Sequence, residues 1–303
     1  MRELVLNVGT FTHPVVLDVA RRDGSLAGAG LIVHETQVVS SPAQFTSLEA
    51  GEYDLVFTSP DNVIAYRFVA NNPLGRILPV EIIWGIDRGL GLSLCLAPGV
   101  TSPEMVRGKP IGVDVPQSGF AFVAYELLRR AGLSREDYTL STLGSTPRRA
   151  AALATGECAA TVLNAGNELR AQGAGCLIHS SVSDVGPYLG TVIARMATDD
   201  PERREAHRRF TDVIDATIRH IVAGECEDLV IESARELLDL DEDEARAHYR
   251  CLLDPANGFL PSGRIDRASV ATLLELRRRF LPTADLDEVE RELEHFIAPD
   301  ILD

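Results

Sequence analysis

The sequence predicts an α/β protein with mostly parallel sheets, followed by a helical C-terminal block. Three observations carry this. Short apolar runs alternate with helical stretches over the first two thirds of the chain. Each run feeds a loop of Ser, Thr, Gly or Pro that opens the next helix. Beyond residue 199 the pattern is helical throughout.

The elements follow in order. Residues 4–8 read as a buried strand, 9–14 as a loop and 15–22 as a helix, with Pro14 suited to the first turn because its missing N–H costs nothing there. Residues 31–33 and 38–39 are β-like, and 41–44 start a helix that ends near Gly51. Residues 54–58 form a strand, 59–62 cap a helix over 63–70, and 78–84 form a long apolar strand. Gly85-Ile86-Asp87-Arg88-Gly89 is expected to interrupt it before a strand over 92–97. A second set has strands at 110–114, 138–143, 159–163 and 176–179, with helices at 120–131 and 148–154. Gly132 fits a left-handed helix end. The last block reads as helices over 201–223, 227–239, 241–253, 266–280 and 286–296.

The chain has 303 residues, enough for two domains of about 150. Its net charge of −16 argues against a nucleic-acid or anionic-membrane binder. Residues 199–303 hold 27 acids and 14 arginines, so the first 198 residues carry only −3. No apolar run approaches the roughly 18 residues of a membrane span. Lys109 is the only lysine, in a polar turn, which disfavours Schiff-base chemistry. The five cysteines lack C-x-x-C spacing and read as free thiols of a reducing compartment. Residues 1–8 are too short and polar for a signal peptide, so the sequence as it stands reads as cytoplasmic, or as periplasmic or extracellular if a leader has been removed. Walker A, H-E-x-x-H, G-x-S-x-G and complete dinucleotide motifs are missing, and no His, Cys or carboxylate cluster has metal-ligand spacing. His207, His220, His248 and His295 read as surface positions on the C-terminal helices. Neither a metal nor a cofactor is expected.

What remains is one repeated device. Residues 10–14, 58–62, 116–119 and 144–147 each follow a strand and open a helix. They would aim backbone N–H groups and hydroxyls at the carboxyl ends of parallel strands, where α/β proteins hold ligands and helix N-termini favour anions. Ordinary helix capping uses the same residues.

Longer stretches carry a resemblance. Residues 51–62 (GEYDLVFTSPDN) resemble a first-lobe signature of type II periplasmic-binding-protein folds, and 107–114 (RGKPIGVD) the opening of the second lobe. Ser118-Gly119-Phe120, Gly132-Leu133 and residues 148–157 (RRAAALATGE) fit the same order. The sequence is thus similar to the NMT1/THI5-like and sulfonate/taurine-type substrate-binding proteins of ABC transporters. Ala159 stands where that family commonly has Asp, and the Cys-rich motif and cofactor-binding lysine of its pyrimidine-synthase branch are lacking.

The resemblance implies two lobes around a cleft: 1–84 with 191–303, and 88–190, with hinges near 84–89 and 187–192. It implies a small-molecule binding protein that holds an organic anion, a carboxylated compound or a polar metabolite, partnered by a transporter permease if an exported form exists. The alternative is a cytosolic enzyme on the same fold, a lyase (decarboxylase or dehydratase) or a synthase, with His13 and Asp87 as catalytic candidates. The expected ligand contacts are Thr10, Phe11, His13, Ser59, Asn62, Asp87, Arg88, Ser118, Gly119, Asn164 and Tyr188. Arg88 could clamp a carboxylate bidentately, and Ser118-Gly119 could form an anion-accepting helix start.

Overall fold

The computed structural model describes residues 3–282, 286–298 and 301–302. Its strands form two five-stranded sheets. The first has the order β2-β1-β3-β10-β4, built from β1 (Leu4–Thr10), β2 (Leu31–Gln37), β3 (Leu55–Thr58), β4 (Val80–Asp87) and β10 (Thr191–Met196). The second has the order β7-β6-β8-β5-β9, from β5 (Ser93–Leu96), β6 (Pro110–Val113), β7 (Thr139–Thr142), β8 (Ala160–Leu163) and β9 (Leu177–Ser181). β1, β2 and β3 pair in parallel, as do β6, β7 and β8. Each sheet also holds one strand that runs against its neighbours, β10 in the first and β5 in the second. The sheets are therefore mixed, with the same arrangement used twice.

The helices follow the strands. α1 (Val15–Arg22), α2 (Ser25–Gly28), α3 (Ser41–Glu49) and α4 (Pro60–Phe68) belong to the first set. α5 (Gly119–Arg130), α6 (Thr146–Ala154) and α7 (Asn167–Gly173) belong to the second. The C-terminal block is α8 (Pro201–Val222), α9 (Glu227–Leu238), α10 (Glu242–Leu253), α11 (Arg267–Phe280), α12 (Leu286–Arg291) and α13 (Leu293–Phe296).

Several elements differ from the sequence reading. β2 is one strand that ends before Val38 and Val39. α4 starts at Pro60, three residues early, because proline is accepted at a first helical turn. β4 runs straight through Gly85-Ile86-Asp87. Gly85 is a close-approach position here: a Cβ would stand 2.8 Å from Gly263 O. β10 and α7 were not expected at all. α7 opens after Gly166, whose φ of +87° suits glycine.

Apolar burial holds these parts together. β1, α1, α8, α9 and α10 share one apolar core that includes Leu6, Val8, Leu17, Phe210, Ile218, Val230 and Tyr249. A second core is continuous from Phe45, Val56, Tyr66 and Ile82 to Leu94, Ile111, Phe122 and Leu274, so it joins elements of both sheets. The chain passes between the sheets twice, from β4 to β5 and from β9 to β10. In the first crossing Gly89, Leu90 and Gly91 all have positive φ (+121°, +47° and +74°). That turn is tied down by Arg88 N to Gly258 O, Leu90 N to Asn257 O and Asn164 Nδ2 to Gly89 O. No helix among the described residues is long and apolar enough to cross a membrane.

Candidate functional site

The carboxyl ends of both sheets open on one cleft of about 910 Å³, a volume that includes space open to solvent. From the first sheet, the loop after β1 brings Phe11, Thr12 and His13. The end of β3 brings Thr58, Ser59 and Asn62, and β4 and β10 bring Asp87 and Thr191. From the second sheet come Asp114 after β6, Ser118 and Gly119 at the start of α5, Thr146 and Arg149 on α6, and Asn164 after β8. All four strand-to-helix loops singled out in the sequence thus reach this cleft. The first turns of α1, α4, α5 and α6 line it with their residues, where N–H groups lack intrahelical partners.

Eight of the expected contacts line the cleft: Phe11, His13, Ser59, Asn62, Asp87, Ser118, Gly119 and Asn164. Three do not. Thr10 is fully buried and donates to Glu35 Oε1 at 2.7 Å. Arg88 points to α11, where Nη1 donates to Asp266 Oδ2 (2.8 Å) and Ser269 Oγ (3.3 Å). Tyr188 is buried in the apolar core. Strand ends place a residue near the cleft, but which way its side chain turns depends on partners distant in sequence.

The two N-terminal serines behave differently. Ser118 caps α5, its Oγ accepting from Ala121 N at 3.3 Å. Ser59 precedes α4 without a side-chain cap bond, and its buried Oγ has no hydrogen-bond partner. Gly119 has a steric reason as well: a Cβ would lie 2.5 Å from Asp61 Cβ.

The charges of the cleft are mixed. His13 Nδ1 contacts Glu35 Oε1 at 2.8 Å, which orients the ring. Burial pushes the Asp87 carboxyl up to about 6, against the opposing bond from Gly89 N (2.7 Å) and a contribution from Thr191. Burial draws the Arg149 guanidinium down to about 10, and the charge of Asp114 opposes it. His248, read from sequence as a surface residue, is buried on α10 and lines the cleft, and burial pulls it down to about 4. His207 is buried too, against Arg195. Among the described residues no group of three or more His, Cys, Asp or Glu could hold a metal ion, and all five cysteines are free.

Sequence reasoning missed Asp114 and Arg149, and also Phe57, Phe120, Leu252 and Phe259, which give the cleft its apolar walls. Asp114 was visible as the residue that ends an apolar strand run. The C-terminal contributors had no local signal.

Solved structures resemble the whole chain. The alkanesulfonate-binding protein SsuA from Xanthomonas axonopodis pv. citri, bound to MOPS, superposes with a TM-score of 0.73 over 94% of this chain and 97% of its own, at 13% identity. The periplasmic nitrate-binding protein NrtA from Synechocystis PCC 6803 gives 0.76 over 99% and 87%, at 9% identity. The Candida albicans CA3427 gene product, described as having the generic periplasmic binding protein fold, gives 0.69 over 99% and 96%, at 14% identity. This chain has the periplasmic-binding-protein fold. No protein-family model matches it, and no curated protein is matched by its sequence. Within the periplasmic-binding-protein fold, the cleft lies between the two sheets, where both sets of strand-to-helix loops meet.

Proposed function

We propose that the protein is a small-molecule binding protein that holds one organic metabolite in the cleft between two lobes. The lobes are residues 1–84 with 191–303, and 88–190. The crossings after β4 and after β9 act as hinges, so that ligand contacts from both walls draw the lobes together. One observation carries this reading: both sheets present their strand carboxyl ends, and the first turns of four helices, to the same cleft. The neighbours described as alkanesulfonate- and nitrate-binding proteins support it.

The ligand carries hydrogen-bond acceptors for these helix starts, as a carboxylated compound does. Arg88, expected as a carboxylate clamp, pairs with Asp266 and is left out of this proposed site. If the protein is exported, as proteins described as periplasmic are, a transporter permease is its partner.

Mass spectrometry of ligand captured from cell extract tests the reading. A single compound, recovered unchanged, is expected. A recovered substrate–product pair would instead establish an enzyme, with His13 and Asp87 the first residues to replace. Solution scattering with the captured compound should show a smaller radius of gyration. An unchanged radius with saturated binding overturns the closing clamp.

A further inference from the structure

One side chain of the cleft has its hydrogen bonding set from outside the cleft. His13, in the loop between β1 and α1, lines the cleft, and its side chain is 34% exposed. Glu35, on the neighbouring β2, does not line it, and its side chain is 10% exposed. Glu35 Oε1 accepts from Thr10 Oγ1 at 2.7 Å and lies 2.8 Å from His13 Nδ1. Arg21 Nη2, on α1, stands 4.0 Å from Glu35 Oε2 and supplies a counter-charge.

An ionised carboxylate accepts hydrogen bonds and donates none. Oε1 already accepts from Thr10, so the proton between Oε1 and His13 belongs to Nδ1. In a neutral imidazole one nitrogen donates and the other accepts. Nε2 sits across the ring, on the edge turned away from Glu35. Within the ligand-binding reading above, on which this inference rests, we propose that Glu35 is a positioning residue. It holds His13 as the Nδ1–H tautomer, so that Nε2 offers an acceptor to the cleft and selects a ligand that brings an O–H or N–H donor to that point.

The rest of the cleft asks for something different. The starts of α1, α4, α5 and α6 are donors and meet acceptors on the ligand. Asp87 also lines the cleft, but its Oδ1 accepts from Gly89 N (2.7 Å) and its Oδ2 is closed off. Arg149 directs its Nη atoms to Gly144 O, Thr146 Oγ1 and Val162 O. A hydroxy or amino compound that also carries acceptors fits this combination. A symmetrical oxyanion has acceptors only and leaves Nε2 unmet. The apolar walls, Phe11, Phe57, Phe120 and Phe259, suit an aromatic body beside the donor.

The test reads the ring directly. The full chain, with isotope-labelled histidine, is measured by long-range proton–nitrogen NMR above the titration of the ring, where the two neutral tautomers give distinct nitrogen shifts. The signal missing from His13→Gln assigns His13. The Nδ1–H form is expected, and the Nε2–H form or an even mixture overturns the inference. Glu35→Ala should release the ring to Nε2–H. Thr10→Val, which removes the other bond to Oε1, should leave the tautomer unchanged. A Glu35 that only ties β1 to β2 predicts no change of tautomer in either variant. The wild-type tautomer decides alone if Glu35→Ala does not fold. Phenol, anisole and benzoate then probe Nε2. Phenol should shift the Nε2 signal and bind about fivefold or more tighter than anisole, which has the same ring and oxygen but no donor. Equal affinities, an unmoved His13 signal with phenol, or tightest binding by benzoate with the ring protonated overturns the donor requirement. The captured-ligand experiment is separate. A substrate–product pair overturns the binding-protein reading and leaves the tautomer as measured, whereas an Nε2–H ring overturns this inference and leaves that reading intact.

Discussion

Two buried arginine–carboxylate sets sit on opposite sides of one question. Asp61 on α4 and Arg277 on α11 are each 1% exposed and joined bidentately, Nε to Oδ1 at 2.8 Å and Nη2 to Oδ2 at 2.7 Å. The guanidinium also lies 5.2 Å from the centre of the Phe122 ring. This set is complete, and it fastens α11 to α4 beside the start of α5. Asp114 and Arg149 line the cleft and are nearly as buried, yet each keeps one hydrogen-bonding atom that the protein leaves without a partner. Burial alone thus does not tell the two sets apart. The distinguishing property is whether the protein finishes the hydrogen bonding itself.

The largest expected effect comes from breaking the finished set. Arg277→Met leaves Asp61 charged, buried and unpaired, and should cost about 3–5 kcal/mol in a urea melt. Adding Asp61→Asn should recover part of the loss, because the remaining group is no longer a charge. A cost below about 1 kcal/mol for Arg277→Met would show that the pair contributes little to the scaffold.

The same contrast extends to two glutamates. Burial raises Glu126, but bonds from Arg129, Arg130 and Arg279 overcome it and bring the carboxyl to about 2. Among the described residues no arginine pairs with Glu168, and burial pushes it up to about 8, against backbone bonds that lower it. A folded-state value raised above the ordinary 4.5 favours the fold at low pH. That contribution is lost as pH rises toward and through about 8. Glu168→Gln removes the titration. Relative to wild type it should gain stability between pH 5 and roughly 9, most at the alkaline end. Parallel stability curves for the two proteins over that range would refute a buried, unpaired Glu168.

Much of this was legible in the sequence, for a physical reason. The loops after β1, β3, β6 and β7 announce themselves through local chemistry: an apolar run, a hydroxyl or proline, then a helix. The contacts those loops make are not local. Thr10 turns inward because Glu35, on the neighbouring strand, accepts its hydroxyl. Arg88 turns away from the cleft because Asp266 caps α11 beside it. β10 is short, and its place between β3 and β4 depends on those strands, more than 100 residues upstream. Arg149 sits next to Arg148 with nothing in the pattern to separate them, yet one is buried and the other exposed.

The two helix-start serines sharpen the contrast at a smaller scale. Ser118→Ala removes a cap and should lower stability by about 1 kcal/mol. Ser59→Ala removes no cap bond and should stay within about 0.5 kcal/mol of wild type. Its effect belongs in affinity for the captured ligand, by roughly 5- to 10-fold for a lost neutral hydrogen bond. Calorimetric titration beside a denaturant melt separates stability from affinity for each variant. Equal stability losses in the two variants would remove the distinction between the capping serine and the open one.

The smallest effect is expected at Arg88, and it tests which arginine belongs to the site. Its side chain is 26% exposed and that of Asp266 is 35% exposed, so solvent screens the pair. Such pairs contribute about 0–1 kcal/mol. Asp266 keeps its bonds from Ser269 N (2.8 Å) and Ser269 Oγ (2.9 Å) when the arginine is removed, so the α11 cap survives. Arg88→Ala should therefore lower stability by no more than about 1 kcal/mol. It should leave affinity for the captured ligand unchanged, since the side chain does not line the cleft. A bidentate clamp on a carboxylate predicts the opposite, a large affinity loss with little change in stability. If Arg88→Ala weakens binding by roughly tenfold or more, the guanidinium leaves Asp266 when the cleft fills and Arg88 belongs to the site.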